Sequence, residues 1–311
     1  MNMDQTFTIE QVSTKLNLVP RSVHIVLDIL AAHNLLSKTS KSLLTNADDN
    51  FTYQASEYLK KLAKAFGNPA AFVSNIMMFS NVEGFLRTGS IVMPNNASGS
   101  NEEREKNYEK VVLMLATLFF ESAKALAKIL PPVKEILDVG AGSGVWSLAQ
   151  VQTYGYDFAH TTALDFPLVL GSFKSFASRI QVPESCISTI AGSYHEVEVP
   201  KDKFDRIILA NIVHLEDEAQ AASLIHRFAQ FMKPGSELVI VDMMGSTTDP
   251  NSKIERIRAN YSLHLALRST KGWGYPLALL KAWMEQAGLK PDPEPIMIEG
   301  SQNAQALVAR K

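Results

Sequence analysis

The chain is 311 residues long, 46% hydrophobic and 20% charged, which is the balance of one large or two ordinary globular domains. Its formal charge of −2 gives no general attraction for nucleic acid, and a single cysteine, Cys186, excludes an internal disulfide. The polar start MNMDQTFTIE lacks the apolar core of a secretory signal, and the most apolar run, VVLMLATLFF, stops at Glu121, far short of a membrane span. A cytoplasmic protein with no membrane partner is expected. From the N-terminus, Thr8 can cap a short helix and LNLVP makes a turn. A second helix runs from about Arg21, with Val23, Val26, Leu27 and Leu30 on one buried face. LLSKTSK and NFTYQ then read as a hairpin, so the opening segment has the helix, turn, helix, hairpin order of a winged helix.

Winged helices commonly bind DNA. Here the second helix offers only Arg21 and His24 as basic contacts, Asp28 opposes them, and Lys38 and Lys41 add little on the wing. Phosphate binding needs a clearer basic footprint, so a structural or dimer-forming role is favoured over a DNA-binding regulator. Helices continue through ASEYLKKLAKAF and NPAAFVSNIMMFSNVEGFL. The polar stretch TGSIVMPNNASGSNEER then marks the joint between a helical domain, 1–101, and a second domain, 102–311.

The second domain opens with a helix from about Glu102 to Ile129, closed by Pro131-Pro132. VKEILDVG, HTTALDF, ISTIAG, FDRIILAN and ELVIVDMM read as buried strands separated by helical segments such as EAQAASLIHRFAQFM. This alternation predicts an α/β fold, a Rossmann-like parallel sheet with helices on both faces. Cys186, just before the third strand, is expected to pack in the core. PEPIMIEG and AQALVARK, joined by Ser301-Gln302-Asn303, close the sheet as an antiparallel hairpin.

The strongest chemical signal is ILDVGAGSGVWSLAQ. A strand ends at Asp138-Val139, and Gly140, Gly142 and Gly144 follow at alternate positions before a helix. Glycines let the backbone turn sharply and let a cofactor approach closely. Asp165 ends the next strand, where a carboxylate can accept hydrogen bonds from both hydroxyls of a ribose, and Phe166 can pack beside the nucleoside. After the fourth strand, in ILANIVHLEDEAQ, Asn211 closes the strand and His214 opens the next element, at the edge where such sheets bind ligands. No His, Cys and carboxylate cluster has metal-ligand spacing, so no catalytic metal is expected.

With AGSYHEVEVP after the third strand, the chain resembles the winged-helix family of small-molecule O-methyltransferases of plant phenolic and bacterial natural-product pathways. The resemblance runs from FTIEQVSTKL through the glycine loop to NAQALVARK. It implies S-adenosylmethionine as cofactor, with Asp138, Gly140 and Gly142 holding its amino-acid end. Family members commonly contact the adenine with an aspartate after the third-strand glycine. This chain has Ser193 there, with Tyr194 beside it to stack on the purine. The resemblance makes His214 the general base toward the hydroxyl of an aromatic or polyketide-like acceptor. Glu216 or Asp217 could orient its imidazole, although HLEDE is shorter than the family's usual tryptophan-containing turn. Candidate acceptor-lining residues, between the sheet and the helical domain, are Met78 with Met77 and Phe79, Phe120 with Phe119, Met243 with Met244, Tyr261 and Trp273. The family usually dimerises through N-terminal helices, so a homodimer is expected although few residues precede the winged helix. Two alternatives stand: C- or N-methylation or a non-methylating relative with the same cofactor, and a winged-helix DNA-binding regulator.

Overall fold

In the computed structural model the described residues are 5–18, scattered positions of 20–31, then 35–40, 51–66, 87, 101–245 and 253–311 apart from 268, 270 and 302. The chain divides into two compact units, Met1–Val73 and Ser74–Lys311. Composition places the joint later, at 101, but the polar stretch behind that choice lies mostly outside the described residues, as does the helix expected over 68–86.

In the first unit, α1 (Ile9–Leu16) begins at Thr8 with a reciprocal cap. The Thr8 hydroxyl accepts the Gln11 N–H at 3.2 Å, and the Gln11 side-chain oxygen accepts the Thr8 N–H at 2.9 Å. Strands β1 (Leu36–Ser40) and β2 (Phe51–Ala55) pair antiparallel, with Leu36 opposite Ala55, and α2 (Glu57–Phe66) follows. Phe51, Tyr53 and Ala55 alternate inward and meet Ile9, Val12, Val23 and Leu27 in one apolar core. The described residues of 20–31 are helical; Arg21, Val26, Asp28 and Lys41 lie outside the described set.

The second unit begins with the long helix α3 (Asn101–Ile129). Then come β3 (Glu135–Val139), α4 (Val145–Tyr154), β4 (His160–Asp165), α5 (Pro167–Arg179), β5 (Ile187–Ala191), β6 (Arg206–Ala210), α6 (Glu218–Phe231) and β7 (Glu237–Asp242). The chain closes with α7 (Lys253–Ala266), α8 (Leu277–Gln286), β8 (Lys290–Pro291), β9 (Ile296–Met297) and β10 (Gln305–Arg310). The strand order is β5-β4-β3-β6-β7-β10-β8. The first five strands run parallel, β10 lies antiparallel to β7, and β9 pairs with β10 as the expected hairpin. Phe204, Ile207, Leu224, Phe228 and Trp283 fill one face of the sheet. Leu126, Ile136, Leu148, Phe173 and Ile208 fill the other, each such side chain contributing roughly 1.5–3 kcal/mol by its burial. Cys186 is buried in a short turn ahead of β5, as expected.

Polar contacts pin the amino ends of the strands. Arg206, wholly buried at the start of β6, donates to Glu237 on β7 at 2.6 Å, to Gln150 on α4 at 2.6 Å and to the Pro131 carbonyl at 2.8 Å. The carboxylate of Asp205 accepts the N–H groups of Lys134 and Glu135, so β3 and β6 start in register. The opposite, carboxyl edge is thereby left to the loops. Strand order reverses between β3 and β6, and the crevice at that reversal is where an open α/β sheet binds its ligand.

Candidate active site

A cleft with an empty volume of about 670 Å³, part of it open to solvent, lies at that reversal. Gly140, Gly142, Asp165, Phe166, Tyr194 and Asn211, all expected cofactor contacts, line it. Gly140 and Gly142 adopt left-handed backbone, φ 60° and 58°, which a side chain would strain. A Cβ at Gly140 would stand 2.7 Å from Ile212 Cγ2, across the crevice. The turn at Gly142 aims its N–H at Asp165 Oδ2, 2.7 Å away, while Oδ1 accepts the Phe166 N–H at 2.7 Å. The Asp165 carboxylate is thus held by two backbone N–H groups at the end of β4, where it lines the cleft.

Asp138 lies one residue from the end of β3, 1% exposed, and its Oδ2 has no hydrogen-bond partner. Burial pushes its carboxyl up to about 7; Ser147 opposes this by hydrogen bonding, and the nearby Asp165 charge reinforces it. A buried acid next to a glycine cradle, with an acceptor oxygen unused, fits the ammonium end of S-adenosylmethionine.

His214 sits in a short turn, Val213–Leu215, after β6 and is 4% exposed. Its Nδ1 lies 2.9 Å from both carboxylate oxygens of Asp242, the last residue of β7. Its Nε2 lies 3.2 Å from the Tyr261 hydroxyl on α7. The orienting acid is therefore Asp242, and the expectation for Glu216 or Asp217 fails. Glu216 instead accepts from the Tyr194 hydroxyl at 2.8 Å and sits 2.9 Å from His195 Nε2, while Asp217 caps α6. Asp242 escaped the sequence reading because it is 28 residues from His214. The available signal was an acid at the tip of the strand next to the histidine's own.

Ser193 is not among the residues lining the cleft. It opens a tight turn, and its hydroxyl accepts the His195 N–H at 3.3 Å, the local bonding that turn serines favour. Phe120 also faces elsewhere, packing edge-on against Phe176 of α5 at 5.5 Å, whereas Phe119 lines the cleft beside Trp146. Adjacent helix residues point different ways, so only one of the pair can face the site. Val112 and Leu115 of α3 complete the apolar wall and were missed, because nothing in VVLMLATLFF marks which side faces a ligand. Met243 follows Asp242 and donates its N–H to that carboxylate; Met244 is core. Trp273 is exposed, with its N–H on the His214 carbonyl. Met77, Met78 and Phe79 lie outside the described residues. Among the described residues no group of three or more His, Cys, Asp and Glu is placed to hold a metal ion, and no helix is long and apolar enough to cross a membrane.

An acid-flanked glycine turn at this crevice is shared with dinucleotide enzymes, and here an antiparallel strand, β10, lies beside the fifth parallel one. The model of an O-methyltransferase domain matches residues 71–289, about 70% of the chain. This chain belongs to that O-methyltransferase family. Solved structures share its fold at low identity. A Nostoc punctiforme protein described as an O-methyltransferase is 17% identical, with a TM-score of 0.70 over 99% of this chain and 90% of that one. Human N-acetylserotonin methyltransferase, solved with S-adenosylmethionine, is 16% identical, with a TM-score of 0.62 over 98% and 87%. An O-methyltransferase family 2 protein from Planctomyces limnophilus, solved with apigenin, is 21% identical, with a TM-score of 0.59 over 99% and 86%. No curated protein sequence matches the chain.

Proposed function

We propose that the protein moves a methyl group from S-adenosylmethionine to a hydroxyl of an aromatic or polyketide-like small molecule, with His214 as general base. The buried His214–Asp242 pair carries this reading. A carboxylate on Nδ1 fixes the tautomer with hydrogen there, which leaves Nε2 bare to take a proton and stabilises the imidazolium that results. A phenol ionises near ~10 and an imidazole near ~6.5, so complete transfer before reaction would cost about 5 kcal/mol. A base fixed in place removes the proton as the oxygen attacks, which lowers that cost.

The bound cofactor supplies an electrophilic methyl group. Asp138 holds its ammonium, Gly140 and Gly142 keep the floor open, Asp165 takes the ribose, and Phe166, Tyr194 and Asn211 surround the nucleoside. The aromatic ligand apigenin in the P. limnophilus structure supports a flat acceptor here. In this reading residues 102–311 form the catalytic domain and residues 1–101 a helical domain that pairs two copies. The protein acts in the cytoplasm, without metal or nucleic acid.

His214→Ala should cut methyl transfer across a panel of phenols by roughly 10²–10⁴-fold. Calorimetry on the same variant should show cofactor affinity unchanged. Full turnover in that variant rejects the base.

A further inference from the structure

A proton bound for His214 has to reach a buried imidazole whose Nδ1 is already engaged by Asp242. Since the carboxylate accepts the Nδ1 hydrogen, the neutral ring presents Nε2 as an acceptor, and the Tyr261 hydroxyl 3.2 Å away is its donor. The phenol ring stands edge-on to the imidazole, with centroids 5.3 Å apart and planes at 84°, and stacks on His264 from its other side at 6.2 Å.

The helix carrying Tyr261 is tied to the histidine's turn at several points. Arg258 of α7 donates to the Gly274 carbonyl at 2.6 Å, and Ser262 accepts the Gly274 N–H at 3.2 Å. One residue earlier, the Trp273 N–H donates to the His214 carbonyl at 2.9 Å. The Tyr261–His214 contact is therefore built into the fold on both sides. An acceptor meeting Nε2 directly would have to break that bond and displace a packed ring. Tyr261 itself is only half-buried, whereas His214 behind it is 4% exposed.

We infer that Tyr261 is a catalytic residue that takes the acceptor's proton and passes its own to His214. This rests on the reading of His214 as the base. In one step the acceptor O–H proton moves to the Tyr261 oxygen while the Tyr261 proton moves to His214 Nε2. The freed electron pair on the acceptor oxygen forms the new O–CH₃ bond, and the pair of the breaking C–S bond stays on sulfur. Tyr261 ends as it began, and the imidazolium, held by Asp242, later returns its proton to water. Transfer from one phenol to another exchanges groups of the same kind, so the tyrosine adds little barrier of its own.

The test is Tyr261→Phe, which keeps the ring and removes the hydroxyl. The expected result is a fall in kcat of roughly 10²-fold or more, with cofactor affinity by calorimetry unchanged. In the cofactor-free protein the ¹⁵N resonance of His214 Nε2 should move, because its hydrogen-bond donor is gone. Wild-type turnover in Tyr261→Phe alongside an inactive His214→Ala overturns the relay alone; turnover in both overturns the base as well. An unmoved Nε2 resonance also overturns the relay. A fluorinated tyrosine at 261, equal in shape and more acidic, should shift the alkaline limb of the kcat–pH profile to lower pH. An unshifted profile overturns the proposal independently of how Tyr261→Phe folds.

Discussion

Asp138 has one carboxylate oxygen paired with nothing, and burial holds its acid form up to about 7. A carboxyl whose folded pKa lies above its unfolded value, 3.8, binds more protons in the native state than in the unfolded chain. Between those limits the native state therefore loses stability as pH rises, the reverse of an ion-paired aspartate. Thermal melts from pH 4 to 7.5 should show Asp138→Asn gaining on wild type as pH increases; parallel curves reject this. An ammonium docked against Asp138 restores the charged form and expels its proton. Titration of S-adenosylmethionine near pH 6.5 should accordingly give different heats in buffers of different ionisation enthalpy, and the difference should vanish in Asp138→Asn. At this scale the sequence was informative where contacts are local. Asp138 and Gly140 sit in one strand-to-turn unit, and the alternating glycines announce the left-handed turns. Partnerships made across strands were not legible. Asp242 meets His214 only because β6 and β7 lie side by side with Ala210 opposite Val241, and Glu216 turns to Tyr194 instead.

Among the elements, β6 and β7 are joined at their starts by a buried ion pair. Arg206 loses its hydration entirely and is repaid by Glu237, Gln150 and the Pro131 carbonyl. Removing the cation leaves Glu237 buried with Arg310, 3.3 Å away, as its one remaining ion-pair partner among the described residues. Arg206→Met should then destabilise the protein by about 3 kcal/mol, the low end for a broken buried pair. Adding Glu237→Met should recover most of that loss, since two apolar side chains need no partners; denaturant melts on the two variants decide it. Elements with a clear period were readable in advance: the hairpin alternating at Phe51 and Tyr53, the five apolar strands, and the long helix ending before Pro131. The two-residue strand β8 was not, because Lys290-Pro291 shows no alternation and is a strand only by its pairing with Arg310 and Ala309 of β10.

For the molecule as a whole, the winged-helix order and the charge of −2 point in different directions. Lys38, one of the few cations of the wing, lies 3.8 Å over the Phe51 ring, so part of its attraction is spent within the hairpin. Duplex DNA at low salt should show no mobility shift with this protein; a salt-sensitive shift would return the winged helix to its usual role.

The sheet's construction also bears on how the protein is made. β10 follows the sheet's other strands in sequence, yet it lies between β7 and β8 rather than at a rim. While the ribosome is still adding residues 243–304, β7 waits with one flank of backbone amides and carbonyls unsatisfied, open to any passing strand. A frameshift or nonsense codon before Gln305 would leave that flank permanently bare, so loss of Gln305–Arg310 should send the product to aggregates and proteases rather than yield a weakened enzyme.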